Sequence, residues 1–175
     1  MSLEPGLDDG LDRLWTPHRM AYINGESKAA DATPGACPFD LRPDGSGNDL
    51  VVAWGERVFA VLNLYPYNPG HLMVVPYRHV ADYTDLDGAE TAELASFTHT
   101  GMRVIRATSR AHGFNIGMNQ GSVAGAGIAA HLHQHVVPRW GGDTNFMPVL
   151  GRTKVMPQLL ADTRDLLAKA WAALG

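Results

Sequence analysis

The chain has 175 residues with 14 Lys or Arg, 18 Asp or Glu and a net charge of −4, and 45% of its residues are hydrophobic. This length suits one domain with extensions and a sizeable buried core. No Lys/Arg-rich run is present, which argues against general nucleic-acid binding through a basic face and leaves any phosphate site to local groups.

The first ten residues, MSLEPGLDDG, are acidic and lack the apolar core of a signal peptide. No apolar run approaches the length of a membrane span, so no membrane partner is expected. Residues 1–48 are polar and rich in Pro and Gly, and we expect them to form an arm. One helix is predicted in it, over 11–23, where Leu11, Leu14 and Trp15 are available to cover a neighbouring surface. Residues 27–49 read as loop. They hold Cys37, the single cysteine, which excludes an internal disulfide framework and fits a reducing, cytoplasmic setting.

Residues 49–175 form the expected domain. LVVAW (50–54), a turn at Gly55 and RVFAVLNL (57–64) predict a β-hairpin. YPYNPG is a turn cluster, and HLMVVPY (71–77) a third strand whose continuous apolar run predicts burial on both faces. The main helix is predicted over Asp87 to Ala111. Asp87 and Glu90 have the spacing of a capping box, and Leu94, Phe97, Gly101, Val104 and Ile105 share one face, with Gly113 as the stop. FNIGMNQ (114–120) is a fourth strand, GSVAGAGIAA a Gly/Ala-rich loop and HLHQHVVP (131–138) a fifth strand. The tail predicts a second helix over 154–174, with Pro157 in its first turn and Leu160, Leu167, Ala170 and Trp171 as its buried stripe. Strands, helix, strands, helix is the order of an α+β fold with a mainly antiparallel sheet of about five strands.

Three of the eight histidines, His131, His133 and His135, alternate along the fifth strand. Period two puts their side chains on one face and Leu132, Gln134 and Val136 on the other. Three crowded rings make each protonation costly, so a purely structural origin is a poor explanation. A single three-His metal site is also disfavoured, because i to i+4 spans about 13–14 Å of strand. Nucleophilic catalysis fits better. A neutral imidazole attacks phosphorus near pH 7 when its other nitrogen keeps a proton on an acceptor, and flanking rings stabilise charge on the leaving group. The upstream NQGSVAGAG offers Asn119, Gln120, Ser122 and Gly-rich backbone for phosphate.

HLHQHVV has the form His-φ-His-x-His-φ-φ and resembles the signature of the histidine triad (HIT) family, with Gln134 in place of an apolar residue on the opposite strand face. NLYPYNPGHLMVVPYRHV resembles the family's hairpin before the main helix, and MNQGSVAGAG its phosphate loop. The resemblance covers roughly residues 50–140. It is closest to bacterial members that cleave diadenosine tetraphosphate by phosphorolysis or hydrolysis.

The resemblance implies a HIT fold in residues 49–175 with a C-terminal helical extension. It implies nucleotidyl transfer from a dinucleoside polyphosphate to phosphate or water, with no cofactor required for catalysis. His133 would attack the α-phosphorus and form a nucleotidyl-histidine. The carbonyl of His131 would hold the other ring nitrogen of His133. His135 would contact the phosphate or bridging oxygen, and His71 would be the family's additional histidine. Asn63 and Leu64 would meet the nucleoside, and Asn119, Gln120, Gly125 and Gly127 the phosphates. Ala126-Gly127-Ile128 stands where many relatives carry a polar side chain for the leaving group, so Ser122 or backbone N–H groups would have to substitute.

Some relatives hold structural zinc. The matching positions here are Cys37, Asp40, His79 and His131, with Asp40 where the second cysteine would be. Phosphoramidate or aminoacyl-adenylate hydrolysis and nucleotide sensing with little activity stay open as alternatives. The implied partners are a nucleotide and a second copy of the chain, as homodimer or higher oligomer.

Overall fold

The computed structural model describes residues 37–41, 49–143 and 158–174. The helix expected over 11–23, and Pro157, lie outside the described residues.

Five strands form one sheet: β1 (Val51–Trp54), β2 (Val58–Leu62), β3 (Leu72–Pro76), β4 (Gly113–Gly117) and β5 (Gln134–Arg139), in the order β1-β2-β3-β5-β4. Every pairing is antiparallel. Among the described residues, two α-helices, α1 (Gly88–Ser109) and α2 (Leu160–Leu174), accompany the sheet.

The apolar runs of β2 and β3 are buried at every position, as their lack of alternation predicts. Alternate residues serve different layers. Ala60, Leu62 and Leu72 join Val104 and Ile105 of α1 and Leu167 of α2 in one core cluster. Val58 and Val74 meet Leu94 of α1 on the same side. Phe59, Val61, Met73 and Val75 face the other way, against Cys37 and Phe39. The sheet thus has a helix face and an opposite face covered in part by residues 37–41, a segment the sequence assigned to the arm.

The capping box at the start of α1 is present. The Asp87 side chain accepts from the N–H of Glu90 at 2.7 Å, and the Glu90 carboxylate accepts from the N–H of Asp87 at 2.9 Å. The helix stops earlier than expected. Arg110 takes a left-handed conformation, φ 54 and ψ 41, and its N–H donates to the Arg106 carbonyl. Gly113, the expected stop, is instead the first residue of β4, paired with Arg139. A left-handed non-glycine costs on the order of 1 kcal/mol.

The fifth strand starts later than expected. Its ladder begins at Gln134, so His131 and His133 precede it and only His135 lies within it. The N–H of Leu132 goes to the carbonyl of Val80 instead of to a neighbouring strand. β4 likewise ends at Gly117, short of the expected Gln120. The two-fold alternation still holds: Gln134 donates to Thr98 of α1 at 2.7 Å, while His135 points away from the helices.

Trp171 of α2 lies 5.2 Å from the Phe97 ring of α1, and Arg164 donates to the Val51 carbonyl at 2.9 Å. Between these layers sits Gly101, where a Cβ would come within 2.8 Å of Leu72 and 3.4 Å of Trp171. Gly101→Val therefore separates α1 from both neighbours. We expect it to destabilise the protein by about 1–3 kcal/mol, read from the midpoint of urea unfolding.

Candidate active site and adjoining metal cluster

His131 is completely buried, and its Nε2 lies 2.8 Å from the carbonyl of Pro76. A carbonyl only accepts, so the ring proton is on Nε2 and Nδ1 carries the lone pair. The carbonyl of His131 in turn takes the Nδ1 proton of His133 at 2.9 Å. By the same logic the free lone pair of His133 is on Nε2.

A second chain of hydrogen bonds approaches from the loop between β2 and β3. The backbone N–H of Tyr67 donates to Nδ1 of His71 at 3.0 Å. A backbone amide is always the donor, so neutral His71 keeps its proton on Nε2. That nitrogen donates to Nδ1 of His135 at 2.9 Å. His135 is left with its proton on Nε2. The rings of His133 and His135 meet edge-on at 4.9 Å. The pair therefore presents one lone pair and one N–H side by side.

Burial disfavours the charged form of the three triad rings. Desolvation pushes the basicity of His131 and His133 below the ordinary histidine range. Desolvation and then the neighbouring His133 lower His135 from 6.5 to about 4.

Asn63 reaches the same loop. Its side chain accepts from the N–H of Tyr65 at 2.9 Å, and its amide nitrogen lies 3.4 Å from Nδ1 of His71. Leu64 stands exposed beside it, at 59%. Gln120 is engaged elsewhere, accepting from the N–H of Tyr83 at 3.0 Å. Gly121 and Gly125 have φ of 79° and 82°, which explains glycine at both positions. Among the described residues, no hydrogen bond joins Asn119, Gly125 or Gly127 to the histidines. They share only the segment that leads from β4 to His131.

Cys37, Asp40, His79 and His131 come together from three parts of the chain, with ligand atoms within 4.8 Å of one another. Nδ1 of His131 is 3.5 Å from Sγ of Cys37 and 3.4 Å from the Asp40 carboxylate. The Asp40 carboxylate is 2.8 Å from Nδ1 of His79. Four ligands around a tetrahedral ion have edges of about 3.3–3.6 Å, calculated from common zinc–ligand distances. The first two separations match, and the third is that of a hydrogen bond. The tautomer of His131 turns a lone pair toward the cluster, and its other nitrogen has the carbonyl partner that metal-bound histidines usually have. The N–H of Phe39 donates to Sγ of Cys37 at 3.4 Å, which favours a thiolate. The four residues thus fit a metal ion.

Three neighbours of the site escaped the sequence reading. Phe39 lies 5.7 Å from the His131 ring and 5.2 Å from that of His133, so the segment bearing two cluster residues also walls the triad. Asn68 is buried and donates to the Pro138 carbonyl and to Asp143, tying the His71 loop to the end of β5. Asp143 is itself held by Arg139 at 2.6 and 2.9 Å. The Asn-Pro-Gly run marked a turn, but no periodicity pointed to its partner 75 residues on.

The HIT domain model matches residues 46–142. The chain is 56% identical over 171 residues to the AP-4-A phosphorylase of Mycobacterium tuberculosis, covering 95% of this chain and 88% of that one. It is 36% identical over 96 residues to the asymmetrical bis(5'-nucleosyl)-tetraphosphatase of Schizosaccharomyces pombe, about half of each chain (51% and 52%). Among solved structures, a zinc-bound histidine triad family protein from Mycobacterium smegmatis superposes with a TM-score of 0.66 at 27% identity, over 81% of this chain and 97% of that one. The chain belongs to the histidine triad family.

Proposed function

We propose that this protein is a nucleotidyl transferase that cleaves dinucleoside polyphosphates of the diadenosine tetraphosphate type by phosphorolysis. The observation that carries the reading is the His133 ring, with its Nδ1 proton held by the His131 carbonyl and its Nε2 lone pair free for attack. The 56% identity to a protein named AP-4-A phosphorylase supports the substrate and the phosphate acceptor.

Nε2 of His133 attacks the α-phosphorus. The P–N bond forms, the P–O bond to the polyphosphate breaks, and ATP leaves with the electron pair. The His131 carbonyl stabilises the positive charge that develops on the ring. His135 presents its Nε2 proton to the departing oxygen, a side-chain donor that the residues at 126–128 lack. Inorganic phosphate then attacks the same phosphorus, the P–N bond breaks, ADP leaves and the ring returns to its neutral state. In this reading Asn63 and Leu64 take the nucleoside. Asn119, with the backbone at Gly125 and Gly127, takes the phosphates. Gln120 contributes by shaping that segment through Tyr83.

We place zinc in the Cys37, Asp40, His79 and His131 cluster, where it supplies a structural cross-link. The zinc-bound relative supports this assignment. The two-chain assembly of the reading uses β4, which is at the sheet edge with Ile116 46% exposed.

Product analysis tests the reaction. Diadenosine tetraphosphate with inorganic phosphate should yield ADP and ATP, and little turnover without phosphate. AMP and ATP in phosphate-free buffer would indicate hydrolysis instead. His133→Ala should lose at least about a thousandfold in kcat; wild-type activity in that variant would sink the proposal. Metal analysis of the purified chain should find about one zinc per chain, falling in Asp40→Ala together with its thermal midpoint. Less than about 0.2 zinc per chain with all four ligands intact would remove zinc from the account.

Stability should also depend on pH. His135 titrates at about 4 in the fold and near 6.5 when exposed, so the unfolded chain takes its proton first as pH falls. Stability is therefore retained above about pH 6.5 and declines toward pH 4. Urea midpoints should drop between about pH 7.5 and about pH 5, and less so in His135→Asn.

A further inference from the structure

The Tyr67 side chain does something the reaction above does not use. Its ring centroid is 4.7 Å from that of His71 and 5.8 Å from that of His135, nearly parallel to the latter at 29°. It therefore spans both partners of the 2.9 Å hydrogen bond that sets the tautomer of His135. The residue as a whole is 51% exposed. A half-exposed aromatic side chain with its ring against two polar rings is not filling the core.

The backbone holds it there firmly. Tyr67 spends its own N–H on His71. The next residue, Asn68, is 4% exposed and bonds the Pro138 carbonyl and Asp143 at 2.9 and 2.8 Å. The ring is thus fixed to the same clasp that fixes the loop bearing His71.

We propose that Tyr67 is a positioning residue of the transfer reaction: its ring roofs the His71–His135 hydrogen bond and keeps water from competing for it. The proposal rests on the nucleotidyl-transfer reading, in which His135 must present Nε2–H to the leaving oxygen. Without the roof, water bonds to Nδ1 of His135 and Nε2 of His71, and the His135 proton redistributes between the two nitrogens. The donor then faces the substrate only part of the time.

Two measurements test this on the intact protein. In the first, kcat and KM for diadenosine tetraphosphate with phosphate are compared in wild type, Tyr67→Phe, Tyr67→Ala and Tyr67→Leu. The Phe variant keeps the ring and should stay within about twofold of wild type. The Ala and Leu variants should lose about tenfold or more in kcat while KM changes less than about threefold. In the second, ring nitrogen-15 shifts of His135 are recorded without nucleotide. Wild type and Tyr67→Phe should show one neutral tautomer, and Tyr67→Ala a mixture.

Wild-type kcat in both Ala and Leu variants overturns the proposal. So does a loss confined to KM with the His135 tautomer unchanged, which would make the ring a nucleotide contact. The Leu variant retains apolar bulk, so it reads out the ring if the Ala variant fails to fold. The nitrogen shifts need no substrate. They decide the role of Tyr67 even if the wild-type protein does not cleave the dinucleotide.

Discussion

His131 is fixed at both ends, and the site depends on that double anchorage. Its ring nitrogen donates to the Pro76 carbonyl at the end of β3, and its own carbonyl accepts from His133. The first bond turns a lone pair toward Cys37 and Asp40. The second leaves the lone pair of His133 on Nε2. One residue, with no net charge and no exposed surface, thus divides two chemistries between its ring and its backbone.

The same economy governs the other histidines. Two tautomers in the site are set by backbone groups, a carbonyl for His133 and an amide for His71, and the third follows by relay to His135. Backbone groups have no alternative protonation state, so the assignment cannot drift with side-chain titration. Burial reinforces it by making imidazolium unfavourable. The result is an imidazole lone pair and an N–H donor side by side.

Much of the fold was legible because its signals are local. The capping box at Asp87 and Glu90 depends on residues three apart, and the two-sided burial of β2 and β3 follows from unbroken apolar runs. The errors also have local causes. Gly113 looked like a helix stop, yet the helix ends at Arg110, which takes the left-handed position, and Gly113 opens β4. The histidine run looked like continuous strand, yet its first residues bond Val80 and Pro76 instead. Period-two geometry survives without a ladder, which is why the side-chain alternation held while the strand boundary did not.

The sequence by itself determined the alternation that brings three histidines to one side, and it singled out the middle ring as the candidate nucleophile and four residues of types able to hold a metal. Those properties are carried by spacing along one segment or by residue chemistry. Only the tertiary structure decided which nitrogen of His131 and of His135 bears the proton, because their partners, the Pro76 carbonyl and His71, are 55 and 64 residues away. It also decided that Phe39 walls His133 and that Tyr67 covers the relay. Neither ring lies near the triad in sequence. Both arrive there because the antiparallel sheet brings the loop ahead of β3, and the segment bearing Cys37, onto the face opposite the helices.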